Sequence, residues 1–337
     1  MTKEDILYDY LRPSQQLIAD MGRIKGDILI LGAGGKMGPS MARLATEAIR
    51  QSGTEKKVFA FSRFSDQTVA DELKTYGVEI IKGDLLNDAE LLALPDVPNV
   101  IYLAGYKFGT TGNEPYTWIM NAYLPGKVAE KFKNSNIVVF SSGNIYPLSE
   151  VVLGGSTEDT STAPVGEYAQ SCLGRERMFQ YFSRKNQTPM LLYRLNYAND
   201  VSYGILLEIA RSVYDGKSIN LATGNVNVIW QGDANEIAIR SLLHCEIPAR
   251  ILNVTGPETV SVRWIAQKFG KIFNKSVNFI SCEEQSALLS NAAECFKIFG
   301  YPSVTLKQMV ELIGKWVMEG GKTINKPTHF QEREGKY

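Results

Sequence analysis

The sequence predicts an α/β protein, a doubly wound parallel sheet with a smaller α/β lobe interwoven with it. Three observations carry this expectation. Short, continuously apolar runs alternate with helical patterns over the first part of the chain, a glycine-spaced turn joins the first run to the helix behind it, and from about Val201 the alternation gives way to a different order.

Taken in order, residues 1–26 read as an N-terminal helical arm, with Ile6, Leu7, Leu11, Leu17 and Ile18 in a partly amphipathic pattern broken by Pro13. Strands are expected at Ile28 to Leu31, Val58 to Phe61, Val78 to Ile81, Val100 to Leu103, Ile137 to Phe140 and Met190 to Arg194. Strands that are apolar throughout and separated by helices belong in a parallel sheet covered on both faces. Beyond Val201 come a helix from Tyr203 to Tyr214, a short strand near Ser218 to Leu221, and Val226 to Trp230 leading into another helix. Ile251 to Val254 reads as a further strand of the second lobe. Behind it Val262, Ile265, Ala266, Phe269, Ile272 and Phe273 fall at helical spacing after Ser261, an expected N-cap.

Lys plus Arg equals Asp plus Glu, 36 against 36, in a chain of 337 residues, and no basic tract stands out. A general nucleic-acid binder, RNA included, is therefore disfavoured. The four cysteines, Cys172, Cys245, Cys282 and Cys295, lack paired spacing and read as free thiols, and two histidines, His244 and His329, are too few for a zinc site. No apolar stretch reaches the ~20 residues that span a bilayer, so no membrane partner is expected, and a reducing cytoplasm is the expected location.

The run Asp27-Ile-Leu-Ile-Leu-Gly32-Ala-Gly-Gly35-Lys36-Met37-Gly38 is a strand, a glycine turn and the start of a helix whose inner face is Met41, Leu44, Ala45, Ala48 and Ile49. Glycines at 32, 35 and 38 let the backbone approach a pyrophosphate, with helix N–H groups facing the anion. Three glycines alone mark a tight turn as readily as a cofactor site, but this strand-turn-helix context favours a dinucleotide.

The three-residue spacing of these glycines resembles the extended short-chain dehydrogenase/reductase superfamily, in particular its NAD-dependent epimerase/dehydratase family. The resemblance runs over about residues 27 to 315 and implies a Rossmann-type fold and a nicotinamide cofactor. Ser62 stands where NAD-preferring members keep an acid, with Arg63 beside it, which points to NADP first and NAD second. Gly83-Asp84-Leu85 looks like the family's pair at the adenine edge, and Leu103-Ala104-Gly105 like its small-residue turn after the fourth strand. Tyr106-Lys107-Phe108-Gly109 is similar to the loop of UDP-galactose 4-epimerases whose lysine reaches toward the cofactor. Asn121 matches the helix asparagine that links elements.

Phe140-Ser141-Ser142-Gly143-Asn144-Ile145-Tyr146 resembles the family's Ser-Ser-x-x-Val-Tyr segment, which places Ser142 at the reacting hydroxyl or carbonyl and Asn144 on the substrate side. Tyr168, Ser171 and Glu176 match the family helix Tyr-x-x-Ser-Lys-x-x-x-Glu, but Cys172 replaces its lysine. In the family the tyrosine moves the alcohol proton while hydride passes to or from the nicotinamide. Bringing a phenol from ~10 to neutrality takes roughly 4 kcal/mol of phenolate stabilisation, which an ammonium normally helps supply. Three outcomes stay open. Lys107, or Arg175 one further turn along the helix, supplies the cation; the enzyme works mainly as a reductase, with Tyr168 as an acid; or the protein binds cofactor without turnover.

On the substrate side, Tyr193-Arg194-Leu195-Asn196 resembles the family's Arg-x-x-Asn turn, giving Asn196 a substrate contact. The family arginine that binds a substrate diphosphate falls at Val226. A smaller polyol, sugar or sugar acid held by Asn196, Asn227, Trp230 and Gln231 is therefore expected, with Trp230 as core packing the competing reading and Asp233 as a cap of the following helix. The expected domains are the arm over 1–26, an NAD(P)-binding Rossmann domain over 27–200 with about 222–250, and a substrate lobe with the C-terminal tail over 201–221 and 251–337. That tail, Asn325 to Tyr337, is expected either to close over a substrate or partner or to be disordered. Fold analogy alone implies a homodimer.

Overall fold

A computed structural model describes residues 12–107, 109–324 and 326–336. Seven strands, β1 (Ile28–Leu31), β2 (Val58–Ser62), β3 (Glu79–Lys82), β4 (Asn99–Tyr102), β5 (Asn136–Ser142), β6 (Met190–Leu195) and β7 (Arg250–Val254), form one sheet. Its order is β7-β6-β5-β4-β1-β2-β3. β1 pairs in parallel with β2 and with β4, Ile28 standing opposite both Val58 and Asn99, and β2–β3 and β4–β5 are parallel too. The chain thus winds outward from β1 to β3, then returns to β4 on the other side of β1. That reversal makes the crevice at the carboxyl ends of β1 and β4 the switch point where such sheets bind ligands.

Every residue of β1 and β4 is buried, as the apolar runs require, so both faces need covering. Leu29, Leu31, Val100, Tyr102, Ile137, Val139 and Leu192 meet Leu124, Val128, Ala129 and Phe179 from the helices in one core. The Rossmann-type expectation is met. The expected strand at Ile251 to Val254 differs in its place: β7 is the outer strand of the main sheet, with Asn196 N–H donating to Val254 O at 2.9 Å. A short apolar run shows that a strand is buried but not which sheet it joins.

The chain divides into two compact units. One runs up to Ser141 and adds Gln170–Tyr193 and Asn235–Ile251; the other comprises Ser142–Ala169, Arg194–Ala234 and the chain from Leu252 onward. In the first, helix α1 (Gln15–Arg23) begins at Ser14, whose side chain accepts from Leu17 N–H. It buries Leu17 and Met21, and Asp20 pairs with Arg240 at 2.8 Å. The expected contributions of Ile6, Leu7 and Leu11 to this arm lie outside the described residues. Next come α2 (Gly38–Ser52), α3 (Gln67–Thr75), α4 (Asp88–Leu92), α5 (Glu114–Trp118) and α6 (Leu124–Lys131). Between α5 and α6 the chain makes a π-helical turn, Ile119–Tyr123.

Helix α7 (Gly166–Asn186) starts among residues of the second unit and continues in the first. The second unit holds α8 (Ile205–Tyr214), α10 (Val262–Phe273), α11 (Ala293–Phe299) and α12 (Leu306–Met318), and α9 (Gln231–Arg240) bridges the assignment of the two. Ser261 caps α10 as expected, accepting from Trp264 N–H. Asp233 does not cap the helix that follows it; it lies within α9 and accepts from Ser303 N–H at 2.9 Å, Ser303 Oγ–H at 2.6 Å and Val304 N–H at 3.1 Å. Burial pushes its carboxyl above the ordinary range, and those donors oppose the shift. The described part of the tail is docked. Thr328 donates to Glu208, Phe330 is buried, and Arg333 donates to Ser286 O and Oγ at 2.8 Å each. Asn325 and Tyr337 lie outside the described residues. No helix among the described residues is long and apolar enough to cross a membrane.

Candidate active site

The glycine turn is built by contacts that leave no room for side chains. Gly32 has φ +88°, and a Cβ there would stand 2.7 Å from Ala104 N, so the turn after β1 and the turn after β4 meet backbone to backbone. A Cβ on Gly38 would stand 2.3 Å from Ala33 O, which fixes how closely α2 follows the strand. Gly35 N–H donates to Gly32 O at 3.0 Å. Met37 occupies the N-cap of α2 and provides no side-chain cap. The N-terminal end of α2, with Pro39 in its first turn, thus has no side-chain acceptor from its N-cap, and an uncapped helix N-terminus behind a glycine turn is the kind of end that binds a pyrophosphate. Lys36 is half-buried in the same turn.

A Cβ on Gly34 would meet Ser62 Oγ at 2.7 Å, which brings Ser62 over the turn, while Arg63 is exposed. Gly34 was not among the glycines singled out by spacing; only the fold shows that it makes room for the end of β2. Phe64 follows with φ +43° and is buried. Asp84 accepts from Leu86 N–H at 3.0 Å while its own N–H donates to Glu90 at 2.6 Å, and Leu85 is buried, so the turn after β3 is locked internally.

Asn121 sits in the π-helical turn, fully buried, and links four groups. Its side chain bonds Tyr106 N–H and Tyr106 O at 2.8 Å each, Ser171 Oγ at 3.0 Å and Arg175 Nη2 at 2.7 Å. Such turns re-aim a side chain that a regular helix would place elsewhere. The loop carrying Gly105 and half-buried Lys107 is thereby fixed from within the same unit; Phe108 lies outside the described residues. Arg175 is 6% exposed and also donates to Phe140 O at 2.8 Å. Glu176, fully buried, accepts from Ser141 Oγ–H at 2.6 Å. Cys172 is fully buried on the same helix, as a small packing residue would be.

In the second unit, Ser142 is buried, donates to Asn144 Oδ1 at 2.8 Å and accepts from Asn144 N–H at 3.1 Å. The turn that follows is held by Tyr146, which donates to Asn253 Oδ1 at 2.9 Å and accepts from Arg194 at 2.5 Å. Burial raises the Tyr146 phenol, and the guanidinium opposes the rise. Tyr168 is half-buried on the first turn of α7. Asn196 donates to Asn227 Oδ1 at 3.1 Å and Leu288 O at 3.3 Å, and Asn227 accepts from Ser290 N–H at 2.9 Å. Trp230, Gln231 and Val226 are buried as well. These groups form the wall behind Ser142 and Gly143: a Cβ on Gly143 would stand 3.1 Å from Asn196 Oδ1 and 3.2 Å from Ser290 Oγ. Among the described residues no group of His, Cys, Asp and Glu is placed to hold a metal.

Comparison with known proteins agrees with this architecture. The chain is similar to MoeE5, solved with UDP-glucose and NAD, at 18% identity and TM-score 0.71, covering 88% of this chain and 99% of that one. It is similar to UDP-glucuronic acid 4-epimerase from Bacillus cereus at 17% identity and TM-score 0.73, with 87% and 99% covered. It is also similar to the UDP-Glc/GlcNAc 4-epimerase of Campylobacter jejuni at 17% identity and TM-score 0.71, with 88% and 100% covered. A search of curated proteins found no match. The model of the NAD dependent epimerase/dehydratase family matches residues 28–234, well over half of the chain. With the glycine turn, the switch point and the Ser142 and Tyr168 segments in place, the chain belongs to the NAD dependent epimerase/dehydratase family of enzymes.

Proposed function

We propose that the protein transfers hydride between a bound nicotinamide dinucleotide and a carbinol or carbonyl carbon of a sugar or sugar-like substrate. The carrying observation is the glycine cradle at the switch point, where Gly32, Gly34 and Gly38 each exclude a Cβ and the first turn of α2 lacks a side-chain cap. NAD is supported by the two solved relatives described in complex with it, MoeE5 and the Bacillus cereus epimerase. NADP is our first choice, because Ser62 puts no carboxylate beside the ribose and Arg63 is exposed next to it. The dinucleotide would lie on Gly32, Gly35, Lys36, Met37 and Gly38, with Ser62, Arg63, Asp84 and Leu85 toward its adenosine and Ala104, Gly105, Lys107 and Asn121 toward its nicotinamide. It supplies or takes up the hydride; the chain moves the proton.

In this reading Tyr168 exchanges the hydroxyl proton and Ser142 orients the oxygen, with Asn144 releasing the serine hydrogen as substrate arrives. Asn196 and Trp230 act on the substrate side through the wall they build. Reduction is favoured: a protonated phenol is the acid that reduction needs, and Cys172 offers no ammonium to lower its pKa. The UDP-sugars named for the relatives support a sugar as the substrate class, and buried Val226 in place of a diphosphate-binding arginine favours a small sugar, polyol or sugar acid.

Exposed Trp118, Ile119, Tyr123, Met178 and Tyr181 and a groove of about 830 Å³ lined by Leu91, Leu92, Tyr123, Met178 and Phe182 favour a homodimer. A competing reading, cofactor binding without turnover, draws on Cys172 alone. The test compares wild type, Tyr168→Phe and Cys172→Lys in both directions of hydride transfer. Loss in Tyr168→Phe and a gain in oxidation for Cys172→Lys are expected; unchanged reduction in Tyr168→Phe would remove the tyrosine from the mechanism.

A further inference from the structure

We infer that the C-terminal segment 326–336 is a strap that positions Tyr168, by holding the start of the helix that carries it. The inference rests on the reading of Tyr168 as the proton-transferring group. That tyrosine is half-buried and stands in the first turn of α7 (Gly166–Asn186). The first turn of a helix is its loosest part, because its N–H groups have no acceptor within the helix. A phenol that has to meet a reacting oxygen within hydrogen-bond reach needs that turn held from outside.

The strap meets α7 backbone to backbone. Gly166 and Gly335 both lie in the left-handed region, at φ +81° and +79°, and their main chains touch. A Cβ on Gly166 would stand 2.7 Å from Gly335 Cα, and one on Gly335 would stand 2.6 Å from Val165 C. Both positions need glycine, for the conformation and for the clearance. With no side chain between them to give way, a displacement of the strap passes directly to the first turn of α7.

The other contacts of the strap fix it within the same unit. Thr328 donates through its N–H, at 2.6 Å, and through its hydroxyl to the Glu208 carboxylate on α8, and it accepts from Phe330 N–H at 3.3 Å. Phe330 is 5% exposed, and Gln331 Nε2 donates to Asn220 O at 3.4 Å. Arg333 donates through both terminal nitrogens to Ser286, at 2.8 Å each to O and Oγ. Ser286–Ala287 pairs antiparallel with Ser149–Glu150, and Leu288, next in the chain, accepts from Asn196 of the substrate wall. Residues two apart in a chain lie at most about 7 Å from each other. Through Arg333 and Gly335 the strap therefore joins the strand that leads into that wall to the turn that presents Tyr168. It holds the phenol at a set distance from the side chains facing the substrate.

The proteins compared are wild type, a chain ended after Gln331, Arg333→Met and Arg333→Lys. The shortened chain keeps the Thr328 clasp and buried Phe330 but lacks Arg333 and Gly335; Arg333→Met removes only the Ser286 bonds, and Arg333→Lys keeps the charge and a donor. Tyr168 is followed by NMR of isotope-labelled tyrosine ring carbon, its resonance identified by its loss in Tyr168→Phe, and NADPH oxidation is measured over a range of keto-sugar concentrations. In the shortened chain and in Arg333→Met the Tyr168 resonance should shift and broaden, while that of Tyr102, assigned likewise, stays in place. There kcat should fall about 10–10²-fold, with KM for the sugar and NADPH affinity within about twofold of wild type. Arg333→Lys should recover most of kcat. A wild-type Tyr168 resonance in the folded, shortened protein overturns the inference. So does a loss confined to KM, which would make the segment a substrate contact, or a gain in kcat, which would make it an obstruction. Because the resonance needs no substrate, it is separate from the turnover test of Tyr168 itself.

Discussion

Replacing Gly38 by alanine tests the cradle at its tightest point. The added methyl would stand 2.3 Å from Ala33 O and 2.5 Å from Ala33 Cα, against an optimal contact of ~3.5 Å or more. The helix start must therefore retreat from the turn by about 1 Å. Overpacking of this kind costs about 1–3 kcal/mol of stability. The functional cost is larger in kind, because N–H groups displaced by about 1 Å lose hydrogen-bond geometry to an anion, and charge-assisted bonds contribute ~1.5–3 kcal/mol each. Dinucleotide affinity should fall by roughly ten- to a hundredfold per bond lost. Calorimetric titration with NADPH and NADH reads this directly, beside a thermal melt. Gly22→Ala is the control: nothing lies within 4 Å of its added methyl, so affinity should be unchanged and stability equal or slightly higher. Wild-type dinucleotide affinity in a folded Gly38→Ala protein would refute the reasoning.

Other consequences are equally concrete. Ser62→Asp places a carboxylate beside Gly34 and should weaken NADPH at least tenfold while sparing or strengthening NADH; equal losses for both would take Ser62 out of the ribose site. In Gly335→Val, a Cβ at 335 would stand 2.3 Å from Val165 O, at a residue with φ +79°, so the tail should lift from the start of α7 and unfolding temperature should fall; an unchanged melt and unchanged protease resistance of the tail would contradict this docking. Asp200 is held above the ordinary carboxyl range by burial, opposed by its bonds from Ser202. Its folded form binds the proton more tightly than the unfolded chain, so wild-type stability should decline relative to Asp200→Asn as pH rises from about 4 through the raised value. Urea titrations giving a pH-independent difference between the two proteins would rule that out.

Much of this architecture was readable from residue patterns because a parallel strand inside the sheet has to be apolar on both faces, and only edge strand β3 carries exposed Glu79 and Lys82 at its ends. The six runs from Ile28 to Arg194 announced themselves, and each sits in the main sheet. Gly32 and Gly38 were readable too, since the backbone approach they permit has no substitute. What patterns could not show was partnership. Arg250–Val254 looks like any short buried strand, and only tertiary pairing makes it the seventh of the sheet. Asn196 and Asn227 read as substrate contacts, and the fold bonds them to each other and to the backbone of Leu288 and Ser290. The burial of Arg175 and the π-turn that aims Asn121 at it depend on residues more than fifty positions apart.

The most direct test of the central claim is a deuteride-transfer experiment. Cofactor carrying deuterium at the reactive ring carbon, NADPH and NADH in turn, is incubated with a panel of keto sugars and wild type or Tyr168→Phe, and product deuterium is measured by mass spectrometry. Wild type should deliver deuterium to a sugar carbon, and Tyr168→Phe should do so ~10²–10⁴-fold more slowly while binding the cofactor equally well. Equal transfer by both proteins, or failure of wild type to bind either dinucleotide, would contradict it.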